Sequence, residues 1–202
     1  MGYLEDFCSF HEMDEQIVSK CGDFKCSKDE DIDEFFHIEY GDYSTQLLGR
    51  SYCFINQEKE IVCAFTLCNS SITVRTLPNN RRRRVQREIP HIKHRGQYPA
   101  VLLGQLAVFD GFEHKGIGDE VLNFIKAVLL PRAYEPQLGT VSPACRFILV
   151  DAKLKDKVQD FYKRNKFEFV FSSIEEEIES LKITDENRDT RLMFFDLITL
   201  SR

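Results

Sequence analysis

A chain of 202 residues with 43% hydrophobic content is long enough to bury one substantial core, and none of its apolar runs reaches the ~18 residues of a membrane span. Its formal charge of −6 weighs against a nucleic-acid binder, although the charge is unevenly spread: acids crowd residues 5–42 and 175–189, bases crowd residues 75–95. Seven cysteines, an odd number with no CxxC pair, read as reduced thiols of a cytoplasmic protein rather than as a disulfide framework.

The N-terminal stretch MGYLEDFCSFHEMDEQ is acidic and lacks the basic and apolar regions of a secretory leader; Asp6 stands where myristoylation needs Ser or Thr. Residues 1–14 read as an extension. Cys8 and His11 have ligand spacing, but no second close pair complements them, so no metal site is expected. Residues 16–21 form a weak strand candidate. Over 24–36 (FKCSKDEDIDEFF) the pattern predicts a helix with Ser27 as N-cap, Glu30 completing a capping box, and Ile32, Phe35 and Phe36 as the apolar stripe, ending near Tyr40-Gly41-Asp42. Residues 50–56 and 61–69 are aromatic and β-branched around a polar turn, which predicts a hairpin.

Residues 75–98 read as a long basic surface loop with room for one helical turn. It carries Arg75, Arg81, Arg82, Arg83, Arg84, Arg87, Lys93 and Arg95 against the single acid Glu88. The arginines could grip nucleic-acid phosphates, contact a phosphate of a cofactor, or face an acidic segment of the same chain. No stacking aromatics punctuate the run, so a solvated loop is favoured over a nucleic-acid surface.

The centre of the chain is residues 98–130. Residues 101–109 make an apolar run suited to a buried strand, residues 110–118 a glycine-containing turn, and Val121, Leu122, Phe124, Ile125, Val128 and Leu129 recur at helical spacing. A strand, a turn and a helix start together offer open N–H groups to an anion, or are simply a connection. A P-loop fails because Ile117 and Gly118 stand where Lys and Ser or Thr belong, and a dinucleotide fingerprint fails because Val121 replaces its third glycine. Beyond this unit, residues 131–143 read as irregular, 145–150 as a buried strand, 151–153 as a turn, 154–164 as an amphipathic helix and 167–171 as a strand. Residues 172–190 read as an acidic insertion with a helix over 174–181, and 191–200 as a last strand. The order predicts an α/β domain with a mixed sheet, a single domain over residues 1–202.

The turn Glu113-His114-Lys115-Gly116-Ile117-Gly118 resembles the Q/R-x-x-G-x-G/A turn of the GCN5-related N-acetyltransferases, with Glu113 in place of Gln or Arg and with His114 and Lys115 partly offsetting that acid. Three further stretches resemble the branch of that family containing toxins that acetylate charged transfer RNA. FKCSKDEDIDEFF is similar to its F-x-C-x-x-x-x-L-D-x-F-L opening. YPAVLLGQLAV is similar to P-x-x-L-L-G-R-L-A-V, with Gln105 for Arg. CRFILVDAKLKDKVQDFYKRNKFEFV is similar to L-L-V-D-A…F-Y-x-x-x-G-F, with Lys166 for the glycine.

The resemblance implies a mixed, mostly antiparallel sheet, splayed central parallel strands, and acetyl-coenzyme A as cosubstrate with no metal. It implies that Leu106, Ala107 and Val108 hold the pantetheine through their backbone, with an oxyanion-stabilising N–H near Val108. It also implies that amides of His114, Lys115, Gly116, Ile117, Gly118 and Asp119 hold the pyrophosphate and that Tyr162 protonates the departing thiolate. The base is open among Glu113, His114, His91 and His94, or a water chain. The acceptor is a primary amine of a small molecule or protein; the alternatives are the aminoacyl amine of charged transfer RNA, or a coenzyme-A-binding module without catalysis. Acetyl-CoA, an amine, transfer RNA and a second copy of the chain are the partners in view, with no membrane.

Overall fold

The computed structural model describes residues 2–92, 96–129, 145–183 and 189–201. The chain divides into two compact units, Met1–Asn69 with Leu103–Ala133, and Ser70–Leu102 with Tyr134–Arg202. In the first unit the strands lie in the order β1 (Cys8–Glu12), β2 (Arg50–Asn56), β3 (Ile61–Thr73) and β4 (Gln97–Val108). In the second the order is β3, β4, β5 (Phe147–Lys153), β7 (Thr190–Asp196) and β6 (Glu168–Phe169), so β3 and β4 run through both units. β4 and β5 are parallel and the other neighbours antiparallel, which is the mixed sheet expected.

The N-terminal stretch is more than an extension. Helix α1 (Tyr3–Phe7) leads into β1, which pairs with β2 from Cys8 opposite Asn56 to Glu12 opposite Tyr52. Phe10 of β1 lies 5.5 Å from the Tyr52 ring, 5.3 Å from Phe54 and 4.8 Å from Phe124. Residues 16–21 are not a strand. Asp14 accepts from the Ile17 N–H at 2.8 Å and starts helix α2 (Glu15–Val18), a local cap that overrides the β preference of Ile17 and Val18.

The next helix starts later and ends later than its sequence suggests. Helix α3 (Glu30–Glu34) is capped by Asp29, because Ser27 spends its N–H and hydroxyl on the Asp110 carboxylate. The helix does not end at Tyr40. It widens through a π-helical turn, Phe35–Glu39, and continues as α4 (Tyr40–Thr45). Phe35, Phe36 and Tyr40 all enter one core. That core also takes Met13, Cys26, Cys53, Ile61, Ala64, Ala107 and Phe109.

The hairpin forms as expected, with β3 continuing to Thr73. The second unit's core is built on Ile72, Val74, Leu77, Val85, Tyr98, Phe147, Leu149, Val170 and Phe194. Residues 75–98 hold a helix, α5 (Asn79–Val85), and the first residues of β4. Helix α6 (Ile117–Phe124) follows the glycine turn. Asp151, Ala152 and Lys153 belong to β5, pairing with Leu192, Arg191 and Thr190, and are not a turn. Helices α7 (Asp156–Arg164) and α8 (Ile174–Leu181) fall where amphipathic spacing places them. The strand expected over 167–171 shrinks to two paired residues, and β7 gives way to a 3-10 turn, Leu197–Ser201. Residues 131–143 lie outside the described residues, as do 184–188 of the acidic insertion. No helix among the described residues is long and apolar enough to cross a membrane.

Candidate functional site

The turn is built from two left-handed glycines. The Phe112 N–H donates to Phe109 O at 3.1 Å with Gly111 at φ 86°, which reverses the chain at the end of β4. His114 also sits at positive φ, 62°. Gly116, at φ 77°, then opens α6 with no side-chain cap. A Cβ on Gly116 would meet no atom within 4 Å, so glycine serves the backbone conformation there and leaves open space beside it. Among the described residues, no acceptor takes the N–H groups of His114, Lys115, Gly116, Ile117 or Gly118. The Asp119 N–H is used, donating to Gly116 O at 3.0 Å. These open groups stand at the positive end of a helix whose apolar side, Ile117, Val121 and Leu122, is buried.

Glu113 does not spoil this site. Its Oε1 lies 2.6 Å from Lys28 Nζ, and its Oε2 accepts from the Gly111 N–H at 3.3 Å. The hydrogen bond from Lys28 holds this carboxyl below its ordinary value, so it is ionised and its charge is paired. The segment that supplies Lys28 is strapped to the turn twice more. The Asp110 N–H donates to Lys25 O at 2.9 Å, and the Asp110 carboxylate accepts from Ser27. The same segment is closed on itself by Asp33, whose Oδ1 accepts from the Cys26 N–H at 2.5 Å. The segment from Lys25 to Asp33 is thus a brace for the glycine turn. Lys115 stands on the turn's other flank, its ammonium 5.0 Å from the Phe112 ring and 5.7 Å from that of Tyr3. Glu120, one turn into α6, accepts from the N–H groups of Tyr3 and Leu4 at 3.0 and 2.8 Å and anchors α1.

Leu106, Ala107 and Val108 run directly into this turn. Ala107 is buried and its two neighbours are half-buried. All the residues expected to bind the cofactor therefore lie in the first unit, from Leu106 to Asp119.

Tyr162 belongs to the second unit, on the last turn of α7. Its ring packs 5.0 Å from Phe161 and 5.4 Å from Phe167, and burial pushes its phenol above the ordinary value, so the group stays protonated. Its position is fixed by the helix end. The Lys166 N–H donates to Lys163 O at 2.9 Å and the Phe167 N–H to Tyr162 O at 3.0 Å, with Lys166 at φ 67°. That is the left-handed helix stop at which glycine is usual. Lys166 replaces the glycine of the resembling motif and keeps its geometry.

The arginine run is largely engaged within its own unit. Arg81 Nε donates to Val170 O, Arg82 donates to Val74 O, Arg75 O and Leu77 O, and Arg84 pairs with Glu168. Of the base candidates, Glu113 is spent on Lys28, His91 and His114 are exposed, and His94 lies outside the described residues. His11 meets Ser9 Oγ at 2.7 Å, and no group of three or more His, Cys, Asp or Glu side chains among the described residues could hold a metal. Sequence reasoning missed Lys28 because it is distant in the chain from the acid it neutralises. It saw Gln105 only as a departure from a motif.

No family profile and no curated protein matches this sequence. Solved structures do match in fold. AtaT complexed with acetyl-methionyl-tRNAfMet is similar with a TM-score of 0.66 at 18% identity, over 96% of this chain and 97% of that one. A tyrosine-to-phenylalanine mutant of KacT gives 0.66 at 18% identity, over 97% of this chain and 98% of that one. AtaTR bound with AcCoA gives 0.64 at 20% identity, over 97% of each. The fold is that of the GCN5-related N-acetyltransferases along nearly the whole chain.

Proposed function

We propose that this chain is an acetyl-coenzyme-A-dependent N-acetyltransferase. The observation that carries the reading is the turn between β4 and α6. A left-handed Gly116 presents consecutive open amides at a helix start, and the Glu113 carboxylate beside them is paired with Lys28. This donor set fits the anionic end of acetyl-CoA, and the four resembling stretches occur in the order the family requires.

The chemistry is direct attack. The lone pair of an unprotonated primary amine forms a bond to the thioester carbonyl carbon, the C–S bond breaks, and Tyr162 gives its phenolic proton to the thiolate. The amine's surplus proton goes to solvent, from which Tyr162 is recharged. Seven free thiols suit a reducing cytoplasm. A second copy of the chain remains part of the reading only as a homodimer partner.

The likeness to AtaT complexed with acetyl-methionyl-tRNAfMet favours a second reading of the acceptor, the aminoacyl amine of a charged transfer RNA. One experiment addresses both. The purified chain is incubated with acetyl-labelled CoA and, separately, with spermidine, a lysine-containing peptide and methionyl-tRNA. Label in at least one amine is the expected result. Label in methionyl-tRNA alone identifies the second reading. Acetyl-CoA that binds without label transfer to any of the three would mean a coenzyme-A-binding module instead.

A further inference from the structure

The first unit holds a cavity of about 480 Å³ between helix α2 and the π-helical turn that leads into α4. Buried Met13 and exposed Ile38 give it apolar walls, and three carboxylates line it, Asp14 and Glu15 from the α2 side and Asp42 from the α4 side. Among the described residues no lysine or arginine lines it, and none of these three acids is in an ion pair. Its one base, His37, is engaged, with Nδ1 2.8 Å from Asp33 O and the ring stacked on Phe24 at 4.4 Å. A cleft lined by charge of one sign concentrates ions of the other. None of its residues belongs to the stretch from Leu106 to Asp119 assigned to acetyl-CoA.

Tyr40 gives the cavity a floor with a polar tip. It is only 8% exposed, its ring in the core that holds Phe36, Cys53 and Ala107. Its hydroxyl has no hydrogen-bond partner among the described residues, and it is not sealed in but opens onto the cavity, where Glu15 and Asp14 are the nearby charges. Burial first, and then those two carboxylates, hold the phenol above its ordinary value, so it is protonated at neutral pH. Such a phenol accepts an N–H on its oxygen and has its O–H left for a carboxylate. The three acids stand too far apart to share one metal ion, so they match positive charges spread along a chain. We propose that this cavity binds an alkyl di- or polyamine: one ammonium takes Asp14, Glu15 and the Tyr40 oxygen, a second takes Asp42, and the methylenes between them lie along Met13 and Ile38.

The test is calorimetry of the unaltered chain with spermidine, in the absence of acetyl-CoA. Saturable binding that weakens as salt is raised is expected. Butylamine, with a single ammonium, and Mg²⁺ should each bind at least about tenfold more weakly. Glu15→Gln and Asp42→Asn alter exposed side chains and should each weaken spermidine about tenfold, and Tyr40→Phe, which removes only the hydroxyl, roughly threefold. The acetyl-CoA Kd should be the same in all three variants as in the unaltered chain, which separates this site from the cofactor turn. Spermidine binding that survives unchanged in all three variants belongs elsewhere on the molecule and would overturn the assignment. So would Mg²⁺ binding as tightly as spermidine, the mark of a diffuse acidic surface, or no spermidine binding to the unaltered chain.

Discussion

Tyr162 combines a protonated phenol with a position fixed by its own backbone, because its carbonyl receives the Phe167 N–H that closes α7. Burial raises the phenol above its ordinary value. We expect Tyr162→Phe to lower kcat by roughly 10²- to 10⁴-fold with the acetyl-CoA Kd unchanged. The acid must be protonated to act, and its pKa lies above the ordinary 10.0, so Tyr162 adds no alkaline decline to the rate below that pH. A kcat equal to the unaltered chain's, or an alkaline limb below pH 10 that vanishes in Tyr162→Phe, would remove it from the acid role. Glu113 shows the limit of reading single residues. Its type predicts repulsion of a pyrophosphate, and only the tertiary contact with Lys28 reverses that.

At the scale of elements, α7 and its stop carry a testable strain. Lys166 is exposed and held at φ 67°, a conformation that costs an L-residue with a side chain roughly 1–2 kcal/mol. Lys166→Gly should therefore raise stability by about 1 kcal/mol in denaturant titrations without changing kcat, and a loss of stability would contradict the cap assignment. The elements legible in the sequence were those whose signal is local. The β2–β3 hairpin, the strand of β4, α6, α7 and α8 all follow from alternation or helical spacing. Those that escaped depend on distant partners. β1 is recognisable only against β2, and α1 only through Glu120. The cap of α3 moved from Ser27 to Asp29 because Asp110, far along the chain, claims the serine. The π-helical turn at Phe35–Glu39 has no local signal in the sequence. The glycine turn itself was legible, but its brace was not.

Across the whole molecule, charge is settled mostly inside the fold. The basic run is tied to backbone carbonyls and Glu168, Arg146 grips Asp196 through two bonds of 2.6 and 2.8 Å, and Arg191 meets buried Glu177. Lys126, only 4% exposed, is a buried cation whose pKa burial lowers to about 8, partly offset by Asp119. Below that pH the folded and unfolded chains both hold the proton, and folding bears the cost of a buried ammonium. Between about 8 and the ordinary 10.5 the unfolded chain still binds the proton and the folded chain has released it, so stability from this group rises with pH across that window. We expect Lys126→Met to be more stable at pH 7 by roughly 1–3 kcal/mol, with the advantage closing by about pH 10; a constant difference would contradict the assignment. The central claim, that the turn after β4 receives acetyl-CoA, is tested most directly by hydrogen–deuterium exchange of the unaltered chain with and without acetyl-CoA. Slowed exchange confined chiefly to residues 106–108 and 113–119 is the expected result, and unchanged exchange across 113–119 at saturating acetyl-CoA would contradict it.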